Sequence, residues 1–185
     1  MCRFITAVLS ADTSLQASKP LLDKYEMSFK EIKNSFVEAQ LDGDRYVRAT
    51  RSPCDCNSAL GSAHGQHEAA KVVTHFADID KLRKKGWSHH KIERWLAEKS
   101  GSLERHQQQD QSKNHAELTQ WREFIRDLLS EGFTERLGLL LHMYTGRLED
   151  EQIQIKRIEC LPLSEQFETA LQTMEPDVLY MVSKI

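Results

Sequence analysis

Two stretches of this chain are apolar on both faces, and they limit the folds open to it. Arg3-Phe-Ile-Thr-Ala-Val-Leu9 and Leu137-Gly-Leu-Leu-Leu-His-Met-Tyr-Thr145 lack the polar alternation of a strand with one wet face. Such runs read as strands inside a sheet that is covered on both sides. They stand far apart in the chain, so the intervening segments must supply both further strands and cover.

The segments between and after them read as follows. Asp12, Thr13 and Ser14 precede a helical stretch with Leu15, Leu21, Leu22 and Tyr25 on one face. Pro20 is unfavourable in a helix interior, which moves the regular start to near Ser18. Phe29 to Ile32 is a weak extended patch. Asp42-Gly43-Asp44 turns into a strand at Arg45-Tyr-Val-Arg-Ala-Thr50. From His67 the apolar period becomes helical through Ala69, Val72, Val73, Phe76, Ile79 and Leu82, with Gly86 as terminator. Ser88 caps a second helix with Ile92, Trp95 and Leu96 inward and Gly101 at its end. Residues 102 to 113 are almost wholly polar and read as an exposed connection or a solvated helix. Asn114 and Glu117 form a capping box for a third helix, whose stripe is Leu118, Trp121, Ile125, Leu128 and Leu129 and whose stop is Gly132. Beyond residue 145, Ile153, Ile155, Ile158 and Cys160 alternate with a change of phase, which predicts a bulge or an edge. Ser164 opens a short helix with Phe167, Ala170, Leu171 and Met174. Pro176-Asp177 leads into a last strand over 178–182.

This order predicts an α+β fold: a ferredoxin-like (split βαβ) mixed sheet with a three-helix insertion. The chain reads as a single α+β domain over 1–185, with 67–132 a helical insertion or subdomain within it. A length of 185 residues suits that reading.

Charge and composition narrow the function classes. A net charge of −3 gives no global attraction for nucleic acid or an anionic membrane. No apolar run reaches the roughly 18 residues of a membrane span. The opening Met1 to Ser10 is apolar but too short for a signal peptide, and no cleavage site follows it. A cytoplasmic location is therefore expected, where the 4 cysteines serve as thiols or metal ligands in preference to disulfides.

The strand at 45–50 runs into Arg51-Ser-Pro-Cys54-Asp-Cys56-Asn-Ser-Ala-Leu-Gly61-Ser-Ala-His64-Gly-Gln-His67. Two cysteines and two histidines fall in one Ser- and Gly-rich segment. Zinc takes thiolate and imidazole in tetrahedral geometry, usually from pairs two to four residues apart. Cys-x-Cys is tighter than that, so the loop matches no common zinc module and needs a further ligand. Cys2 or Cys160, each on a predicted strand, can supply one. Cys2, Cys54, Cys56, His64 and His67 are thus the candidate ligands of a structural zinc. The competing expectation is a set of small buried thiols that merely pack.

The same loop also admits thiol redox chemistry at Cys54 and Cys56, since Arg48 and Arg51 lie nearby in sequence and would favour a thiolate. It lacks the two-residue spacer of thioredoxin-like motifs, and no helix starts directly after it. Met1-Cys2-Arg3 followed by a strand resembles the opening of class II glutamine amidotransferases. That resemblance implies a nucleophilic Cys2, exposed by loss of Met1 and activated by its own amine. The Arg-Trp-Ala-Thr and Asn-Gly segments of that family are absent here, and Arg48-Ala49-Thr50-Arg51 is a distant echo.

A basic helical hairpin stands apart from the cysteines. Seven Lys or Arg (81, 83, 84, 85, 91, 94 and 99) face two acids, Glu93 and Glu98, a local balance of 7 − 2 = +5. Gly86 at a turn between helices resembles the first half of a helix-turn-helix, but no basic recognition helix follows. Lys81, Arg83, Lys84, Lys85, Lys91 and Arg94 are the candidate partner-binding residues. A local patch on an acidic chain suits an acidic protein partner more than nucleic acid, which is the third-ranked reading through residues 81–99. His142 lies on a predicted buried strand and reads as a satisfied core histidine. No Gly-rich phosphate loop, nucleophile elbow or His-Glu-x-x-His helix is present. The expectation is a non-catalytic binding protein of adaptor or toxin-neutralising type, with a cysteine-dependent enzyme as the alternative.

Overall fold

The computed structural model of the chain describes residues 2–64 and 79–183, without the side chains of 64 and 103–107. The two doubly apolar runs are β1 (Cys2–Leu9) and β4 (Arg136–Tyr144), and they pair antiparallel from Cys2↔Tyr144 to Leu9↔Leu137. Around them lie β2 (Met27–Glu31), β3 (Arg45–Thr50), β5 (Arg157–Cys160) and β6 (Val178–Ser183). The six-stranded sheet has the order β2-β3-β1-β4-β6-β5. Every pair in it is antiparallel except β5 with β6. Helix α1 (Lys19–Lys24) links β1 to β2, and β3 comes to lie between those two strands. Helix α5 (Phe167–Gln172) joins the parallel neighbours β5 and β6.

Side chains alternate across a strand, and each set here meets its own cover. Ile5, Ala7 and Leu9 of β1 and Leu137, Leu139 and Leu141 of β4 face a core with Leu21 and Leu22 of α1, Phe167 and Leu171 of α5, and Trp121, Phe124, Ile125 and Leu128. The last four belong to the long helix α4 (His89–Ser130). On the reverse face Val8, Tyr46, Leu140, Tyr144 and Leu179 pack with Ile32, Ile153 and Val37, the last from α2 (Ser35–Glu38). Fully burying each such side chain contributes about 1.5–3 kcal/mol. That double burial is the physical reason β1 and β4 are apolar at nearly every position.

Several polar groups inside these layers are paired. The Tyr46 and Tyr144 hydroxyls lie 2.7 Å apart, and Tyr46 also donates to Thr6 Oγ1 at 3.0 Å. Burial raises both phenols above the ordinary tyrosine value, Tyr144 the more strongly. Asp127 of α4 receives the Tyr25 hydroxyl at 2.6 Å and Lys24 Nζ at 2.9 Å. Those two donors, with Arg126, lower its carboxyl from 3.8 to about 2.

The helical block departs from the sequence expectation of three helices. Residues 79–84 are helical (α3), and the positions assigned to Ala69, Val72, Val73 and Phe76 lie outside the described residues. The second and third expected helices are one, α4, 42 residues long. Gly101 costs such a helix about 1 kcal/mol but does not stop it. The Gln, Lys, Glu and Arg residues that follow are good helix formers, so the polar stretch is helix, exposed over residues 108–113. Asn114 is consequently no cap, and Glu117 is free to serve elsewhere. The chain divides into two compact units, Met1–Ala63 with Glu117–Ile185, and His64–Ala116. The stop at Gly132 holds, with φ of 76°. The phase change between residues 155 and 158 is also explained: Ile153 and Ile155 pack on the reverse face from an irregular segment, while Ile158 on β5 is exposed.

Candidate metal centre

Beyond its four-residue pairing with β3, the first half of β1 needs another partner. Thr6 to Leu9 pair with Arg45 to Arg48, and from there the chain after Thr50 turns across the start of β1. Asp55 occupies the vacated position. Its backbone N–H donates to Arg3 O at 2.9 Å, and its Oδ2 accepts from Ile5 N–H at 2.9 Å and from Thr50 Oγ1 at 2.9 Å. Asp55 is only 5% exposed, so these bonds answer the need to pair a buried carboxylate. The Arg3 side chain continues the attachment, giving Nε to Asp55 O at 3.2 Å and Nη2 to Ser58 O at 2.9 Å. Glu117 of α4 clamps the far side, accepting from Ser58 Oγ and, at 2.9 Å, from Ala59 N–H.

This path brings three sulfurs together. The Sγ atoms of Cys2, Cys54 and Cys56 all lie within 4.8 Å of one another, close enough to hold a metal ion. Cys54 is half-buried, while Cys2 and Cys56 are exposed. Backbone donors point at two of the sulfurs: Cys56 N–H lies 3.3 Å from Cys54 Sγ, and Arg3 N–H lies 3.3 Å from Cys56 Sγ. The Cys-x-Cys spacing that fits no common zinc module is compatible with a site because the third sulfur comes from a strand some fifty residues earlier.

The other candidates fall differently. Cys160 is exposed on β5, three strands from β1, and is not part of the cluster. His64 ends a short 3₁₀ turn (Ser62–His64), but its side chain, and all of His67, lie outside the described residues. Arg51 is engaged by Asp23 and by Met27 O, and Arg48 lies over the Phe4 ring at 4.6 Å. His142 meets the expectation of a satisfied histidine at one ring nitrogen only: its Nδ1 lies 2.6 Å from Asp177 Oδ1, while its buried Nε2 has no hydrogen-bond partner among the described residues and stands 3.8 Å from a Glu151 oxygen. In the basic hairpin, Lys81, Arg83, Lys84, Lys85, Lys91 and Arg94 are all exposed.

Sequence reasoning missed Arg3, Asp55 and Glu117 as the residues that shape the loop. The one available signal was an acid between two cysteines, which a solvated loop does not need. A cleft of about 400 Å³ opens beside the loop, lined by Thr50, Arg51, Asp55, Tyr25 and Trp121 among others. Its polar lining is largely spent on the protein itself, as with Gln120 Nε2 on Tyr25 O at 2.7 Å.

With three sulfurs, the site can chemically do two things: coordinate a soft or borderline cation, or exchange electrons between thiols and disulfide. Among the described residues no helix is long and apolar enough to cross a membrane. No protein-family model, no curated protein and no solved structure matches the chain, so the residues themselves carry its functional reading.

Proposed function

We propose that this is a non-catalytic cytoplasmic binding protein in which Cys2, Cys54 and Cys56 hold a zinc ion. The observation that carries the reading is the convergence of three sulfurs from two remote segments within 4.8 Å. In tetrahedral geometry with Zn–S near ~2.3 Å, sulfurs stand about 3.8 Å apart. Closing on an ion therefore asks for side-chain movements on the order of 1 Å. Asp55, the acid inside the motif, is not one of the clustered ligands, and its Oδ2 is held by Ile5 N–H and Thr50 Oγ1. A water molecule completes the coordination.

The basic hairpin then supplies the binding surface, with Lys81, Arg83, Lys84, Lys85, Lys91 and Arg94 docking an acidic protein partner in an adaptor or toxin-neutralising role. Local positive charge on a chain of net charge −3 supports a protein partner over generic nucleic acid. The order β2-β3-β1-β4, with β1–α1–β2 split by β3, supports a ferredoxin-like reading of that part of the sheet, to which β5–α5–β6 is appended.

Metal analysis of the purified chain tests the reading. One equivalent of zinc is expected, lost in Cys54→Ser and kept in Cys160→Ser. A wild-type protein that retains no stoichiometric metal after zinc loading and buffer exchange sinks it. For the hairpin, a pull-down should lose its protein partner on Lys84→Glu/Lys85→Glu, whereas salt-sensitive binding to arbitrary duplex DNA would instead favour the nucleic-acid reading.

A further inference from the structure

We infer that the thiol cluster is a reversible oxidation site, in which a hydroperoxide joins Cys2 to Cys56 as a disulfide and so expels the bound metal. Three observations lead there. First, the loop does not depend on a metal for its position. Asp55 is bonded to Ile5 N–H, Arg3 O and Thr50 Oγ1, Arg3 to Ser58 O, and Glu117 to Ala59 N–H. The sulfurs are therefore held together by bonds that neither metal loss nor oxidation breaks.

Second, the three thiols differ in access. Cys2 and Cys56 are exposed, while Cys54 is half-buried with its sulfur 3.9 Å from Arg3 O. A small oxidant from solvent meets the first two. Third, Cys56 Sγ lies 3.3 Å from the backbone N–H of Arg3, the residue bonded to Cys2, which places the two cysteines side by side. A disulfide needs a sulfur separation of about 2 Å, and the Cys2 and Cys56 sulfurs start within 4.8 Å of each other.

The chemistry balances with one equivalent of hydroperoxide. The Cys56 thiolate attacks the peroxide, forming an S–O bond as the O–O bond breaks and hydroxide (or alkoxide) leaves. The Cys2 thiolate then attacks that sulfenic sulfur, forming S–S as the S–O bond breaks and a second hydroxide leaves. Two thiolates lose two electrons in all, the peroxide gains them, and two protons convert the leaving groups to water or alcohol. Cys54 alone remains as a thiolate, and one ligand does not retain a zinc ion. The release step rests on the zinc reading above; the disulfide step does not.

The test uses full-length protein, zinc-loaded and zinc-free, treated with limiting hydrogen peroxide. Bound zinc is followed with a chromogenic chelator, and disulfides by non-reducing peptide mapping. Loss of bound zinc in step with a peptide joining Cys2 to Cys56, restored by a dithiol reductant, is the expected result. Cys2→Ser should abolish the joined peptide and Cys54→Ser should keep it, with circular dichroism confirming that each variant is folded. Protein that takes up no zinc but still forms the Cys2–Cys56 bridge upholds the oxidation site and removes only the metal reading. A Cys54–Cys56 bridge, or irreversible oxidation of Cys56 with no bridge, overturns the inference even on wild-type protein.

Discussion

The thiol loop and the basic hairpin are both rich in polar residues, yet they are ordered in opposite ways. In the loop, Arg3, Ile5 and Glu117 reach residues fifty or more positions away, at Asp55, Ser58 and Ala59. In the hairpin the interactions described are local: Ser88 Oγ on Lys91 N–H, His89 with Glu93, and Lys91 over the Trp87 ring at 4.2 Å. Long-range bonds fix a geometry that chemistry can use, whereas i,i+4 contacts support a helix whatever its charges contact outside. The loop is accordingly suited to a site and the hairpin to a surface.

That contrast is broken most severely at Gly61, which closes the loop with φ of 65° and donates its N–H to Leu171 O. A Cβ there would meet Leu141 Cδ1 at 2.6 Å and Met174 O at 2.8 Å. Gly61→Ala should cost about 3 kcal/mol through overpacking and backbone strain, seen as a lower denaturation midpoint. If the midpoint is unchanged, the loop is not packed as described. Asp55→Ala comes next. It strips the acceptor from the Ile5 N–H and should cost about 2 kcal/mol, with Asp55→Asn recovering part of it. Zinc uptake by Asp55→Ala should fall as well, because the sulfurs lose their alignment.

A smaller effect is expected at Asp127, outside both regions and useful as a reference. Its folded pKa, about 2, lies below the ordinary 3.8 because Tyr25, Lys24 and Arg126 donate to it. The stability it contributes is present above about pH 4 and is lost as pH falls toward 2. Discounted for solvent screening, it amounts to about 1 kcal/mol. Asp127→Asn should flatten that part of the acid-denaturation curve, and an unaltered curve would show that the Tyr25 and Lys24 contacts carry no weight. The smallest effect belongs to the hairpin. Lys84→Glu/Lys85→Glu should change stability by no more than about 0.5 kcal/mol while abolishing partner capture, since exposed charges contribute little to folding. A large loss of stability would show that these lysines are structural.

The strands were the legible part of the fold. β3 falls at Arg45–Thr50, as expected, and β1 and β4 lie within one residue of their expected bounds. The helix boundaries inside the polar stretch were less legible. Gly101 and Asn114 carry stop and start chemistry that α4 overrides, because good helix formers fill the residues between them. At the site, the two loop cysteines and Cys2 could be named as ligands, but Arg3, Asp55 and Glu117 could not be named as their supports. A side chain's hydrogen-bond partner fifty residues away leaves no periodic trace.

What the sequence determined by itself is therefore periodicity and donor type. Doubly apolar runs specify covered strands, and cysteines specify soft-ligand or thiol chemistry. Only the tertiary structure decided which sulfurs meet. Cys2 joins Cys54 and Cys56 because β3 ends early against β1 and Asp55 takes over the pairing at Arg3 and Ile5. Cys160 stays apart because sheet order puts β5 at the far edge. Strand order depends on how whole faces are buried, and that is a property of the assembled sheet that no single segment encodes.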